Sequence, residues 1–286
     1  MPLKMMYITN NPEVAKVAEK NTVDRIWVDL EKIGKDKRQG GMNTVQSTHV
    51  LSDVSVIRDA ISSAELLVRV NPIYEESKEE IKEVINRGAD IIMLPFFKTR
   101  DEVARFLEYV NSVNSVNISD KKVKTLLLLE TIEAEHNIEA ILDEFKDAVD
   151  EVHIGLNDLH LQYGCKFMFE LLANGKVDEI VNMLKRYEVN YGFGGIARLD
   201  EGLVPARHVI PEHYRLGSFM AILSRSFYDS WISDDLEEIE RVFKYGMSEI
   251  REYENRLSHE VPEFFERNRQ KLIDEVNIVV AGRNAI

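Results

Sequence analysis

Only one cysteine, Cys165, occurs in 286 residues, which rules out an internal disulfide framework. No paired Cys or His spacing accompanies it, which argues against a structural zinc site and for a reducing, cytoplasmic setting. The chain lacks any purely apolar run near the ~18 residues that a bilayer span requires. Its first residues, Met1-Pro-Leu-Lys-Met-Met-Tyr7, carry neither the apolar core nor the small-residue cleavage site of a signal peptide. A soluble protein with no membrane partner is the expectation. Lysine and arginine number 36 against 50 aspartates and glutamates, a formal net charge of −14. With no basic stripe or tail, nucleic acid is not expected as a partner. Internal repeats and low-complexity segments are also missing.

What the chain does have is eight short apolar runs: Met5–Ile8, Ile26–Leu30, Leu66–Val70, Ile91–Leu94, Leu126–Leu129, Val152–Leu156, Tyr191–Phe193 and Tyr214–Leu216. Runs of this kind read as strands buried on both faces. Between most of them, apolar residues recur three or four apart, as at Ile81, Val84 and Ile85 or Val103, Phe106, Leu107 and Val110, the period of a helix. The repeat averages roughly 30 residues, the length of a βαβ unit. Eight such units favour an α/β fold closed as a TIM (β/α)8 barrel over an open sheet. Asp53, Ser77 and Thr99 are candidate N-caps, and Gly88 is a candidate helix stop. Asn111–Asn117, rich in Ser and Asn, reads as a loop.

The barrel is expected in residues 1–230 and a C-terminal helical extension in 231–286. Asp234-Asp-Leu-Glu237 opens a long amphipathic helix to about Leu257, and Pro262 begins another through about Val276. Trp231, Phe243, Tyr253, Phe264 and Phe265 in this extension need cover from water. Either the chain's own barrel supplies it, or a neighbouring subunit does, making the extension an oligomerisation element of a homo-oligomer.

Charges stand at the far ends of three runs: Arg69 after Val68, Glu130 after Leu129, and Asp158 closing Val152–Asp158. Parallel α/β folds place their ligands at the C-terminal ends of strands. Two carboxylates are hard oxygen donors suited to Mg²⁺ or Mn²⁺, and magnesium fills its remaining positions with water and substrate oxygens. A guanidinium beside them can hold a carboxylate bidentately. Together they suggest a divalent metal next to a small anionic substrate. Lys35-Asp-Lys-Arg-Gln-Gly-Gly41 is either a closing loop that receives an anion on Lys35, Lys37 and Arg38, with Gly40 and Gly41 as hinges, or a solvated loop. Gly192-Phe-Gly-Gly195, placed after the seventh strand, is either a phosphate cradle or a tight turn. His153, His160 and Cys165 read as packing or structural groups.

Five segments, Leu67-Val-Arg-Val-Asn-Pro72, Ile92-Met-Leu-Pro-Phe96, Leu129-Glu-Thr-Ile-Glu-Ala134, Ile154-Gly-Leu-Asn-Asp-Leu159 and Tyr214-Arg-Leu-Gly217, resemble in order and approximate spacing the HpcH/HpaI aldolase and citrate lyase β-subunit family. The resemblance covers about Arg25 to Phe227. It implies a TIM barrel that binds Mg²⁺ or Mn²⁺ through Glu130 and Asp158. It also implies that Arg69 contacts pyruvate, oxaloacetate or an acetyl-derived enolate, with Gly155 and Asn157 beside the substrate. Val28-Asp-Leu-Glu31 resembles the family's acidic strand-two motif, so Asp29 and Glu31 would organise the metal water and the proton relay. Position 32 departs from the pattern: aldolase members carry histidine there and citrate lyase-like members another acid, but this chain has Lys32. The base then comes from elsewhere, such as His49 or a metal-bound water, or the reaction differs. The implied function is a divalent-metal-dependent carbon–carbon lyase acting on a 2-oxo acid through a pyruvate-like enolate. Its alternatives are an acyl-CoA lyase or thioesterase of the same family, and a catalytically altered barrel serving as a binding or structural subunit.

Overall fold

The computed structural model describes residues 1–34, 48–115, 122–225, 227–228 and 235–284. Lys35, Lys37, Arg38, Gly40, Gly41 and Trp231 lie outside these. Eight parallel strands close a barrel in chain order: β1 (Lys4–Ile8), β2 (Arg25–Asp29), β3 (Glu65–Arg69), β4 (Ile91–Leu94), β5 (Lys124–Leu129), β6 (Glu151–Ile154), β7 (Asn190–Ile196) and β8 (Met220–Leu223), which pairs with β1. The outer helices include α1 (Pro12–Lys20), α2 (Leu51–Ala60), α3 (Ser77–Asn86), α4 (Arg100–Asn114) and α5 (Ile132–Phe145). After β6 come α6 (Leu156–Gln162), α7 (Glu170–Ala173) and α8 (Lys176–Arg186). Then α9 (Ala206–Leu216) precedes β8, with α10 (Leu236–Leu257) and α11 (Pro262–Asn284) after it.

The two-residue period of each strand sorts its side chains between the helices and the barrel interior. Ile26, Val28, Leu66 and Val68 join the large core beneath the helices. Trp27, Leu67, Ile91, Met93, Leu126 and Leu128 instead fill the interior with Met6 and Met220. Register pairs Arg25 with Glu65, Trp27 with Leu67, and Asp29 with Arg69. Along β2 and β3 the inward positions therefore run from charged at the floor through apolar to charged at the mouth. On the floor, fully buried Arg25 donates to both Glu151 oxygens at 2.6 Å and to Glu65 at 2.9 Å, while Lys124 reaches Glu65 at 2.7 Å.

The eighth strand is Met220–Leu223, and Tyr214–Leu216 belongs to the last turn of α9. Three residues such as Tyr214-Arg215-Leu216 cannot by themselves distinguish a strand from a helix turn. Here Gly217, at φ +74°, ends the helix and frees the next apolar run to enter the sheet. Pro211 inside α9 has no N–H to offer the Arg207 carbonyl one turn back; the Tyr253 hydroxyl donates to that carbonyl at 2.8 Å instead. Asn111–Asn114 is helical as well, because Val110 and Val113 extend the buried stripe of α4; 116–117 lie outside the described residues.

Thr99 caps α4 with a reciprocal Glu102 bond, and Gly88 follows the end of α3 at φ +95°. The other two caps shift. Asp53 is the third residue of α2, where its carboxylate accepts from the Val50 N–H. Ser77 is the first residue of α3, and its hydroxyl accepts from the Tyr74 N–H. Gly192–Gly195 lies within β7 rather than after it. A Cβ at Gly192 would fall 2.3 Å from the Met220 carbonyl oxygen, so close approach of two strands explains that glycine.

Cover for the extension's aromatics comes from the chain itself. Helix α10 packs against both α1 and α9, and α11 packs against α9 and α7. Buried Phe243 stands edge-on to Tyr7 at 4.9 Å and to Phe227 at 5.3 Å, and Glu254 accepts from the Leu3 N–H at 2.7 Å. Tyr253, Phe264 and Phe265 are partly buried against the same core.

Two predictions follow from the barrel wall and floor. Arg25→Met should cost about 3–5 kcal/mol, because it leaves the Glu151 carboxylate buried without its partner. Adding Glu151→Met should recover part of that loss in urea unfolding; a double variant no more stable than the single one would refute the pairing as its cause. His153 and His213 are fully buried, and burial pushes both pKa values down to about 3. Their unfolded forms bind protons below the ordinary value of 6.5. The stability they confer is thus complete above that pH and lost as pH falls toward 3, by about 3 kcal/mol per pH unit for the pair. Urea midpoints measured at half-unit steps between pH 7 and 4 test this, and a flat profile would contradict it.

Candidate active site

Asp29 and Arg69 end β2 and β3 at the same register level and share the inward face of the barrel. The Nε and Nη2 of Arg69 donate to the two oxygens of Asp29 at 2.8 and 2.7 Å, and its Nη1 lies 3.2 Å from Glu31. Trp27, one inward position below, offers its ring face 5.1 Å from the guanidinium. Burial opposes the charge on Arg69, but Asp29, Glu31 and Glu130 more than offset it and raise its pKa above the usual value. The edge of the guanidinium that sequence assigns to a substrate carboxylate is therefore engaged by Asp29. What Arg69 presents to the mouth is a positioned positive charge.

Glu130 follows β5 directly and is 3 % exposed. Its Oε1 accepts from the Phe96 N–H at 3.0 Å. Phe96 has φ +50°, a left-handed backbone that non-glycine residues rarely adopt and that costs on the order of 1–3 kcal/mol. On the neighbouring strand, the Gly155 N–H donates to Leu129 O at 2.8 Å. A Cβ at Gly155 would sit 2.7 Å from the Glu130 Cβ and 3.0 Å from its Oε2. Glycine there leaves the space that the Glu130 carboxylate occupies.

Asp158 is placed differently from the sequence expectation. Strand β6 stops at Ile154, and Asp158 is the third residue of α6, half-buried. Buried Leu156 and Leu159 anchor that helix, leaving Asn157 exposed. Among the described residues, no three His, Cys, Asp or Glu side chains form a ready-made metal cage. The two acids that sequence assigns to a metal, Glu130 and Asp158, would leave a divalent ion to complete its shell from water and substrate, as Mg²⁺ does. Among the described residues around Arg69, three carboxylates, those of Asp29, Glu31 and Glu130, face its single positive charge. This negative excess suits a cation.

Lys32 is exposed, and its backbone N–H and that of Ile33 donate to Asn71 Oδ1 at 2.8 and 3.0 Å. Asn71 in turn donates to Glu80 at 2.7 Å, tying the loop after β2 to the loop after β3. His49 is buried, and its Nδ1 accepts from the Asp29 N–H at 3.0 Å. A neutral ring held this way carries its proton on Nε2 and offers no lone pair there, which weighs against His49 as the base. Asn71 and Phe96 are the contributors missed by sequence reasoning; both stood inside quoted segments, but neither a tying amide nor a left-handed backbone has a sequence signature. His160 donates through Nδ1 to Leu156 O at 2.9 Å. Burial and then Glu170 push the Cys165 thiol pKa up, in keeping with a structural role.

A closed parallel barrel whose acids and arginine crowd the C-terminal mouth belongs to the class of (β/α)8 enzymes. The match is more specific than that: the HpcH/HpaI aldolase/citrate lyase family model covers residues 4–169, and this chain belongs to that family of aldolase and citrate lyase type enzymes. Among solved structures, an HpcH/HpaI aldolase/citrate lyase family protein from Burkholderia cenocepacia J2315 superposes with a TM-score of 0.59 at 15% identity, over 87% of this chain and 95% of that one. The citrate synthase SbnG superposes with a TM-score of 0.59 at 14% identity, over 83% and 92%. At such identities these likenesses speak for the fold. No curated protein matches the sequence.

Gly155→Ala should displace the Glu130 carboxylate and destabilise the fold by about 1–3 kcal/mol, the cost of overpacking a tight contact. Urea unfolding measures the loss, and unchanged stability would mean that Glu130 has room to spare.

Proposed function

We propose that the protein is a divalent-metal-dependent carbon–carbon lyase that cleaves a 2-oxo acid through a pyruvate-like enolate. The observation that carries this reading is the clamped Arg69 guanidinium set among Asp29, Glu31 and Glu130 at the barrel mouth. Mg²⁺ or Mn²⁺ held by Glu130 and Asp158 would supply the Lewis acid that polarises a keto oxygen. Asp29 and Glu31 hold Arg69 in place; Arg69 offsets the negative charge that builds on the substrate as the carbon–carbon bond breaks. Such a preset charge needs no reorganisation at the moment of reaction. Gly155 and Asn157 border the turn where the substrate would lie.

Neither exposed Lys32 nor the engaged His49 ring offers an evident general base. Decarboxylation of oxaloacetate is therefore the informative assay, because loss of carbon dioxide produces the enolate without prior removal of a substrate proton. Glu130→Gln and Asp158→Asn should each abolish Mn²⁺-stimulated pyruvate release, and Arg69→Ala should lower kcat by about 10²–10³. Full activity in the Arg69 variant would overturn its assignment. The departure at Lys32 also supports a second reading, a barrel altered to serve as a binding subunit. That version predicts no Mn²⁺ binding and no pyruvate release by the wild-type chain.

A further inference from the structure

Asp158 stands in α6, a helix of seven residues. Helices that short are marginal on their own, so whatever holds α6 in place also places Asp158. Buried Leu156 and Leu159 anchor its inner face. Just before its start, the Gly155 N–H donates to Leu129 O at 2.8 Å, which ties α6 to the last residue of β5. At the other end, Gln162 makes a second tie to the same corner of the barrel. Its Oε1 accepts from the Ile132 N–H at 3.0 Å, and its Nε2 donates to the Glu130 carbonyl at 3.4 Å.

Both contacts answer needs of the corner between β5 and α5. Ile132 is the first residue of α5, and the first N–H groups of a helix have no partner within it. The Thr131 hydroxyl caps the Ala134 N–H, and the Gln162 amide takes that of Ile132. A primary amide carries an acceptor and a donor on one planar group, so it can engage a backbone N–H and a backbone carbonyl together. On its far side the corner is held by the loop after β4. There the Phe96 N–H donates to the Glu130 carboxylate, and the Thr131 hydroxyl donates to Phe97 O at 3.0 Å. Glu130 is thus tied to β4 on one side and to α6 on the other. Asp158 and Gln162 stand four residues apart, one turn along the same face of α6. One amide therefore links the backbone of Glu130 to the helix that carries Asp158.

We propose that Gln162 is a positioning residue that sets the separation of the Glu130 and Asp158 carboxylates, and through it the divalent ion they prefer. The inference rests on the metal reading of those two acids and goes beyond it by assigning their spacing to a residue outside the donor set. Mg²⁺ demands near-ideal octahedral geometry at short ligand distances, whereas Ca²⁺ accepts a larger and more variable shell of oxygens. Two acids held at a fixed spacing favour the smaller, stricter ion. Acids free to drift lose that preference.

The test is metal binding by the full chain, followed by isothermal titration calorimetry with Mn²⁺ and by competition of Mg²⁺ and Ca²⁺ against it, with no 2-oxo acid present. Gln162→Met keeps the length of the side chain but forms neither bond, and Gln162→Asn keeps the amide but falls one methylene short. Each should weaken Mn²⁺ and Mg²⁺ binding about tenfold, the lower end of the range for changes behind a metal's ligands. Ca²⁺ should lose less, so that the preference for Mg²⁺ over Ca²⁺ falls at least about threefold. Gln162 is exposed, so Tm should fall by no more than about 3 °C. Unchanged metal affinity in either variant, or equal losses for Mg²⁺ and Ca²⁺, would overturn the role of Gln162 alone. Absence of Mn²⁺ binding by the wild-type chain would overturn the metal reading and this inference together.

Discussion

The paired contact between Arg69 and Asp29 constrains the rest of the mouth. A guanidinium in a largely dehydrated interior is costly unless carboxylates meet it with near-ideal geometry. Asp29 can meet it because β2 and β3 run parallel in a register that sets the two residues side by side. A one-residue slip of β2 would turn Asp29 to the outer face, away from Arg69. Trp27 beneath the guanidinium and Glu31 beside it are fixed by the same register, and Glu130 enters the same field from β5.

The floor shows the same physics put to a different use. Arg25 is more completely enclosed than Arg69, and its three short bonds to Glu151 and Glu65 close the bottom of the barrel. An apolar plug containing Trp27, Leu67, Leu126 and Leu128 separates floor from mouth. Ionic networks thus stand at both ends of one interior. The mouth keeps features that cost free energy, among them the left-handed Phe96 backbone and, among the described residues around Arg69, more carboxylates than cations.

Seven of the eight strands were legible because short runs buried on both faces have few readings once they recur every βαβ length. The eighth was misread, since Tyr214-Arg215-Leu216 is too short to show a period, and the packing of α9 against α10, with Gly217 as terminator, decides for the helix. Asp158 was expected to close a strand but stands in a helix, because Gly155 can equally end a strand or begin a turn. The cap at Thr99 was legible from its partner Glu102, three residues on. Asp53 and Ser77 had the right residue types for caps, but neighbouring contacts moved the helix starts by one to three residues.

By itself, the sequence determined the closed α/β architecture, the strands that bear charge at their C-terminal ends and the lack of an internal disulfide, since these depend on residue type and local period. Tertiary structure decided what those charges do. It turned the fork of Arg69 towards Asp29, brought His49 against the Asp29 backbone across 20 residues of chain, opened space for Glu130 at Gly155, and tied Gln162 to the backbone of Glu130 and Ile132. Orientation and long-range proximity arise from register and packing between segments distant in the chain, and no local pattern encodes them.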